Sequence, residues 1–314
     1  MGKASKDKRD IYYRKAKEEG WRARSAFKLL QIDEDFDILT GVRRVVDLCA
    51  APGSWSQVLS RRLYLPAKAA AHNGDAAAPP LIVSIDLQPM APIEGVKQIQ
   101  GDITSARTAE EVIKYFRGEK ADLVVCDGAP DVTGLHDMDE FVQAQLILAA
   151  LTIVTHVLRP GGNFVAKIFR GKDISLLYSQ LKIFFPTVTC AKPKSSRNSS
   201  IEAFVVCQGY APPPDFEPAL LRGLLEQAEA ANDDGADCSS WRFEGSNKVV
   251  VPFLACGDLA GFDSDQYYPL GPVDTSSKGG RKTEGYRSLE PVQPPIAPPY
   301  RTAKEIERQG LRKH

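Results

Sequence analysis

Two lysines and two carboxylates sit where their charge needs a partner. Lys167 lies in the middle of the apolar run "NFVAKIF", and burying an ammonium without a counter-charge is costly. Asp127 closes "VVCDGAP", Glu202 opens the run in "SSIEAF", and Lys28 lies in "RSAFKLL". If those runs are neighbouring strands with a helix packed before them, the four charges can form one buried network. A lysine there can act as a base if burial or a second ammonium lowers its pKa. The plainer alternative is a lysine that snorkels at a strand end.

A second set is acidic. Asp47 ends the first apolar run in "VVDL", Asp86 ends the second in "SIDL", and Asp102 follows the third in "GDI". After Asp47 comes the turn "CAAPGSW", with one glycine, Gly53, and two alanines, Ala50 and Ala51. A dinucleotide site carries three glycines so that backbone can approach a pyrophosphate. Methyl groups at 50 and 51 suit a bulkier, neutral or cationic ligand. Asp86 could accept both hydroxyls of a ribose, and Asp102 could face an adenine edge. One such acid alone would read as a helix cap. Three in register form a negative pocket suited to ribose, adenine and a positive centre, as in S-adenosylmethionine.

These residues need a scaffold, and the apolar patterning supplies one. Strands are expected at 42–48, 81–87, 96–102, 121–128, 163–169, 187–192 and 201–210, with helices over 54–64, 108–117, 137–158, 173–185 and 216–231. Short continuous apolar runs alternating with helices predict a doubly wound, mostly parallel α/β sheet buried on both faces. Only "PKSSRNSS" joins the last two strands, which leaves no room for a crossover helix and predicts an antiparallel hairpin. A helix is expected over "RSAFKLLQIDEDF", with Ser25 as its N-cap and Phe27 and Leu30 on one face. Residues 66–80, rich in alanine and proline, read as a mobile surface loop.

Composition excludes several classes. With 43% hydrophobic and 25% charged residues, the 314-residue chain is globular in character. The apolar stretch at 141–158 carries two glutamines and a histidine, so a buried helix is expected there rather than a membrane span. A charged N-terminus argues against a secretory signal. Six dispersed cysteines suit free thiols in a reducing, cytoplasmic setting, and the four histidines lack metal-ligand spacing, so no metal is expected. Charge is uneven. Residues 1–28 hold ten basic and four acidic side chains, whereas 211–275 hold three basic and twelve acidic ones.

The segments "RSAFKL", "DLCAAPGSWSQVL", "DLQPM", "GDIT", "CDGAPDVTG", "LRPGGNFVAKIFRG" and "SSRNSSIEAFVVC" occur in this order over residues 5–210. Together they resemble the FtsJ/RrmJ family of ribose 2′-O-methyltransferases. The resemblance implies a class I (Rossmann-like), S-adenosylmethionine-dependent fold. It implies a catalytic tetrad of Lys28, Asp127, Lys167 and Glu202, with Lys167 as proton acceptor. It also implies cofactor contacts at Gly53, Trp55, Asp86, Asp102 and Asp127. On this footing residues 1–210 are the methyltransferase domain, with a basic N-terminal helical segment at 1–38. Residues 211–314 are a C-terminal helix and an acidic, Pro/Gly-rich extension that docks partners.

Two further stretches, "DIYYRKAKEEGWRARSAFKLLQIDE" and "VVPFLACGDLAGFDSDQYYPL" with "PPIAPPY", resemble the eukaryotic tRNA anticodon-loop branch. That branch methylates nucleotides 32 and 34 of tRNA and works with a helical-repeat protein and a WD-repeat protein. The basic N-terminal helix, with Tyr12, Tyr13 and Trp21, suits a phosphate backbone and exposed bases. Lys194 and Arg197, in the serine-rich loop 193–200, suit phosphates beside the target ribose. The alternatives are a ribosomal RNA 2′-O-methyltransferase, a catalytically silent RNA-binding module, and a nicotinamide oxidoreductase, the last disfavoured by the missing G-x-G-x-x-G.

Overall fold

The computed structural model describes residues 10–72, 78–103, 105–129, 136–171, 174–219 and 299–311. The chain divides into two compact units, Met1–Ala255 and Cys256–His314. In the second, the described part is one exposed helix, Pro299–Leu311.

The first unit is built on a seven-stranded sheet of order β3-β2-β1-β4-β5-β7-β6. The strands are β1 (Arg44–Leu48), β2 (Leu81–Asp86), β3 (Val96–Gln100), β4 (Ala121–Cys126), β5 (Leu158–Phe169), β6 (Thr187–Ala191) and β7 (Glu202–Gln208). The first five are parallel; β7 runs antiparallel to both β5 and β6, as the short β6–β7 connection predicts. Strand order reverses between β1 and β4, where open α/β sheets place their ligands.

Alternate strand residues feed two cores. Val46, Leu48, Val124 and Cys126 face one side and pack with α5 (Ala106–Tyr115), α6 (His136–Val157) and α7 (Ile174–Phe184). Val45, Leu123, Val125 and Val165 face the other side and pack with α2 (Ala26–Phe36), which follows α1 (Ile11–Glu18), and with α3 (Ser54–Leu59) through Leu29, Ile32, Trp55 and Val58. Coverage on both faces explains why β4 is buried along its whole length and why its sequence shows no polar alternation. Among the described residues no helix is long and apolar enough to cross a membrane.

Four local expectations are corrected. Helix α3 does not end at 64. Its ladder loosens into a π-helical turn, Ser60–Tyr64, where the Leu65 N–H reaches back to Ser60 O, and it continues as α4 (Leu65–His72). Pro66, which has no N–H to donate, falls at that irregularity. The reading of 66–80 as loop is therefore wrong for 66–72, where alanine and lysine favour helix; residues 73–77 lie outside the described set. Ser25 occupies the N-cap position of α2 but its own backbone is helical and its side chain makes no capping bond. Strand β5 starts at Leu158 rather than 163, across a register shift opposite Ala121 and Leu123. The helix expected over 216–231 begins at 218 and, beyond 219, lies outside the described residues.

Candidate active site

The turn after β1 is shaped by Gly53, which has φ 98° and starts α3. An added Cβ there would stand 2.7 Å from Arg22 Nη1 and 2.9 Å from Ile93 Cδ1. Arg22 is close because it ties this turn to the loop after β2. Its guanidinium donates to Pro52 O (3.0 Å), Ala91 O (2.8 Å) and Pro92 O (2.9 Å). Arg22 was not among the expected site residues; it could have been noticed only as one of the many cations before the sheet.

Beneath the turn is a cavity of about 180 Å³, lined by Ser25, Asp47, Cys49, Ser54, Trp55, Asp127 and Lys167, with the 50–52 backbone. Asp47 is fully buried. Its Oδ2 accepts from Ser56 Oγ at 2.5 Å, and Ser56 in turn shares a hydrogen bond with Ser84 (2.6 Å). Its Oδ1 is buried without a hydrogen-bond partner. Burial pushes the Asp47 carboxyl up to about 7, partly offset by Ser56 and reinforced by the charge of Asp127. Asp47 is one of the three strand-end acids legible in the sequence, but the family resemblance does not carry it into the cofactor set.

The two ion pairs stand beside this cavity. Lys167 Nζ lies 2.8 Å from Asp127 Oδ1 and donates to Asp127 O at 2.6 Å. Lys28 is paired with Glu202. Helix α2 carries Lys28 on its buried side, and the antiparallel course of β7 sets Glu202 opposite Phe169, two residues beyond Lys167. The four charges are largely shielded from solvent, with side-chain exposures of 10–15%. Burial would pull Lys167 below the ordinary lysine value. Asp127 and Glu202 outweigh it and hold the ammonium above that value. The condition named for a base, a lowered lysine pKa, is thus not met in this state, because two carboxylates face the one ammonium.

The expected cofactor residues divide. Trp55 is buried, donates its Nε1 to Ser25 O (2.9 Å), packs on Phe204 and lines the cavity, as does Asp127. Asp86 is half-buried and accepts from Ala51 N (2.8 Å) and Gln88 N (2.7 Å), so it braces the turn and retains free lone pairs. Asp102 is exposed, and its carbonyl receives Thr108 Oγ1 at 2.7 Å. Gly53, Asp86 and Asp102 do not line the cavity itself. The end of "CDGAPDVTG", residues 130–134, lies outside the described set.

The aromatic side chains before the sheet have partners already. Tyr12 packs at a tilt against Phe27, Lys17 lies over Tyr13, and Arg61 lies 4.1 Å over the Trp21 ring. In this state Tyr12 and Tyr13 pack within the N-terminal segment, and Trp21 ties it to the π-helical turn. Lys194 and Arg197 are exposed on the loop between β6 and β7, as expected. Among the described residues no cluster of His, Cys, Asp or Glu could hold a metal, and Cys49, Cys126, Cys190 and Cys207 are free.

Comparison with known proteins agrees with this geometry. A protein from Homo sapiens named tRNA (cytidine(32)/guanosine(34)-2′-O)-methyltransferase is 57% identical over 310 residues, covering 99% of this chain and 86% of that protein. A Schizosaccharomyces pombe protein of the same name is 53% identical over 313 residues and 99% of both chains. A crystal structure from Plasmodium falciparum, described as a ribosomal RNA methyltransferase, superposes with a TM-score of 0.51 at 25% identity over 60% of this chain and 98% of its own. Residues 21–210, which contain the turn, the strand-end acids and both ion pairs, match the model of the FtsJ-like methyltransferases, and the chain belongs to that family.

Proposed function

We propose that this chain transfers a methyl group from S-adenosylmethionine to the ribose 2′-hydroxyl of nucleotides 32 and 34 in the tRNA anticodon loop. The observation that carries the reaction is the meeting of Lys28, Asp127, Lys167 and Glu202 beside a cavity with an unpartnered buried carboxylate oxygen. The substrate rests on the names of relatives that match 99% of the chain at 53–57% identity.

The residues fit such a cofactor. A cavity that leaves Asp47 Oδ1 unpartnered suits a ligand with a positive centre. Asp86 keeps lone pairs for ribose hydroxyls, and Asp102 lies in reach of the same strand ends. When bound, S-adenosylmethionine supplies a methyl already activated by its sulfonium. The protein must therefore align the 2′-oxygen and take its proton. Alignment falls to Lys28 and Glu202, and Lys167 Nζ is the proton acceptor. Because Asp127 holds Lys167 as an ammonium, that proton must leave before catalysis. Asp127, when it faces a bound cation, holds the lysine less tightly.

Phosphates beside the target ribose would meet Lys194 and Arg197. Accessory helical-repeat and WD-repeat proteins would dock on the acidic 211–275 segment, which is a poor surface for RNA, and the setting would be cytoplasmic. Lys167→Ala tests the assignment. Methyl transfer should fall about 10³-fold, in the range of a lost general base, while titrated cofactor binding stays within about threefold. Wild-type turnover in that variant would overturn it.

A further inference from the structure

Lys28 and Gln31 are spaced i and i+3 and share one face of α2, and Arg24 lies in the turn that leads into the helix. All three reach the same segment of chain, residues 195–202. Lys28 pairs with Glu202. Gln31 Oε1 accepts both from Ser195 N and from Ser195 Oγ, each at 2.9 Å. Arg24 Nη2 donates to Ser195 O, and its other arm pairs with Asp10, which also lies 3.5 Å from Arg197 Nε. Ser195 is fully buried although it belongs to a connecting loop. Its amide and hydroxyl are thus held by Gln31 on the helix, and its carbonyl by Arg24 in the turn before it.

We infer that Gln31 and Arg24 are positioning residues that clasp the 193–200 loop to the Lys28 helix, so that Lys194, Arg197 and Glu202 are presented to RNA as one rigid unit. The inference rests on the proposed RNA reaction and deepens it. Without the clasp the three polar groups of Ser195 would be buried unpaired, which drives the loop out to water. The loss should stay local. Lys192 Nζ bonds Ser200 O (2.9 Å) and Glu202 O (2.6 Å), closing the base of the loop, and β7 remains paired on both sides. The cofactor cavity is lined by neither Gln31 nor Ser195.

The test compares Gln31→Leu with Gln31→Glu in the full chain with its accessory proteins. Affinity for labelled tRNA, affinity for S-adenosylmethionine, methyl transfer and Tm are each measured. Gln31→Leu should weaken tRNA binding and raise its KM about tenfold, with cofactor affinity within about twofold. Gln31→Glu keeps the acceptor oxygen and should stay within about threefold of wild type for tRNA. Unchanged tRNA affinity in Gln31→Leu would overturn the clasp, as would tRNA and cofactor affinity falling in parallel with Tm. Wild-type protein that binds tRNA without methylating it would sink the proposed reaction instead, and the clasp would still be decided by the tRNA affinities.

Discussion

Strands β4 and β5 carry an acid–cation pair at each end. At the amino end of β4, Asp122 meets Arg159 Nε at 2.6 Å; just past its carboxyl end, Asp127 meets Lys167 at 2.8 Å. Asp122 is fully committed, since it also accepts from the amides of Arg43 and Arg44, each at 2.9 Å. Burial pushes its carboxyl up, but Arg159 and those amides outweigh burial and hold it below the ordinary value. The cation there is an arginine, half-exposed, which never gives up its proton. At the other end the cation is a lysine, shielded from water, which can. Asp47, one strand away, keeps an oxygen with no partner at all. Satisfied charge marks the end that holds the sheet together; unsatisfied charge and a titratable cation mark the end built for a ligand.

Swapping the cations gives the largest contrast. Lys167→Arg keeps the charge and removes the proposed base, so methyl transfer should drop about 10²–10⁴-fold, while Arg159→Lys should change turnover by less than about twofold and stability by less than about 1 kcal/mol. Equal losses in kcat would erase the distinction between the two ends.

Removing the structural acid comes next. Asp122→Ala leaves two backbone amides and Arg159 unpaired and should cost about 2–3 kcal/mol in urea unfolding, discounted for the exposed guanidinium. Turnover per folded molecule should be preserved; a selective loss of activity without a loss of stability would contradict the assignment.

The smallest effect is at Asp47. Asp47→Asn should weaken S-adenosylmethionine about tenfold in calorimetry. It should also change the pH dependence of stability. The folded-state carboxyl, raised to about 7 by burial, binds its proton more tightly than in the unfolded chain. Its contribution to stability is therefore present at pH 4 and is lost as pH rises toward and past 7. The variant should gain Tm relative to wild type at pH 8, by roughly 2–5 °C, and gain distinctly less at pH 5, where only part of the loss has set in. A gain of equal size at both pH values would show that the ionised carboxylate is not strained.

Much of this was legible in the sequence, and the failures have physical causes. Buried strands read as short apolar runs because both faces are covered, and the β6–β7 hairpin followed from the length of its connection. Lys28 and Glu202, 174 positions apart, could be brought together only because strand direction puts the start of β7 at the carboxyl end of its parallel neighbours. Strand order itself carries no local signal. The direction of the Lys167 pKa was not legible, because desolvation is visible in an apolar run, whereas the number of carboxylates facing Nζ depends on three dimensions. Of the partners of the aromatics at 12, 13 and 21, only Lys17 is fixed by spacing, four residues on from Tyr13 in one helix, whereas Phe27 and Arg61 are set by packing. Gln31 gave no signal, since a glutamine on a helix is ordinarily solvated.

The most direct measurement is methyl transfer from labelled S-adenosylmethionine to total tRNA and to ribosomal RNA, with accessory proteins added or omitted and each modified ribose mapped. Label at the 2′-oxygens of nucleotides 32 and 34 is the expected result. Label confined to ribosomal RNA, or carried by a base rather than a ribose, would contradict it.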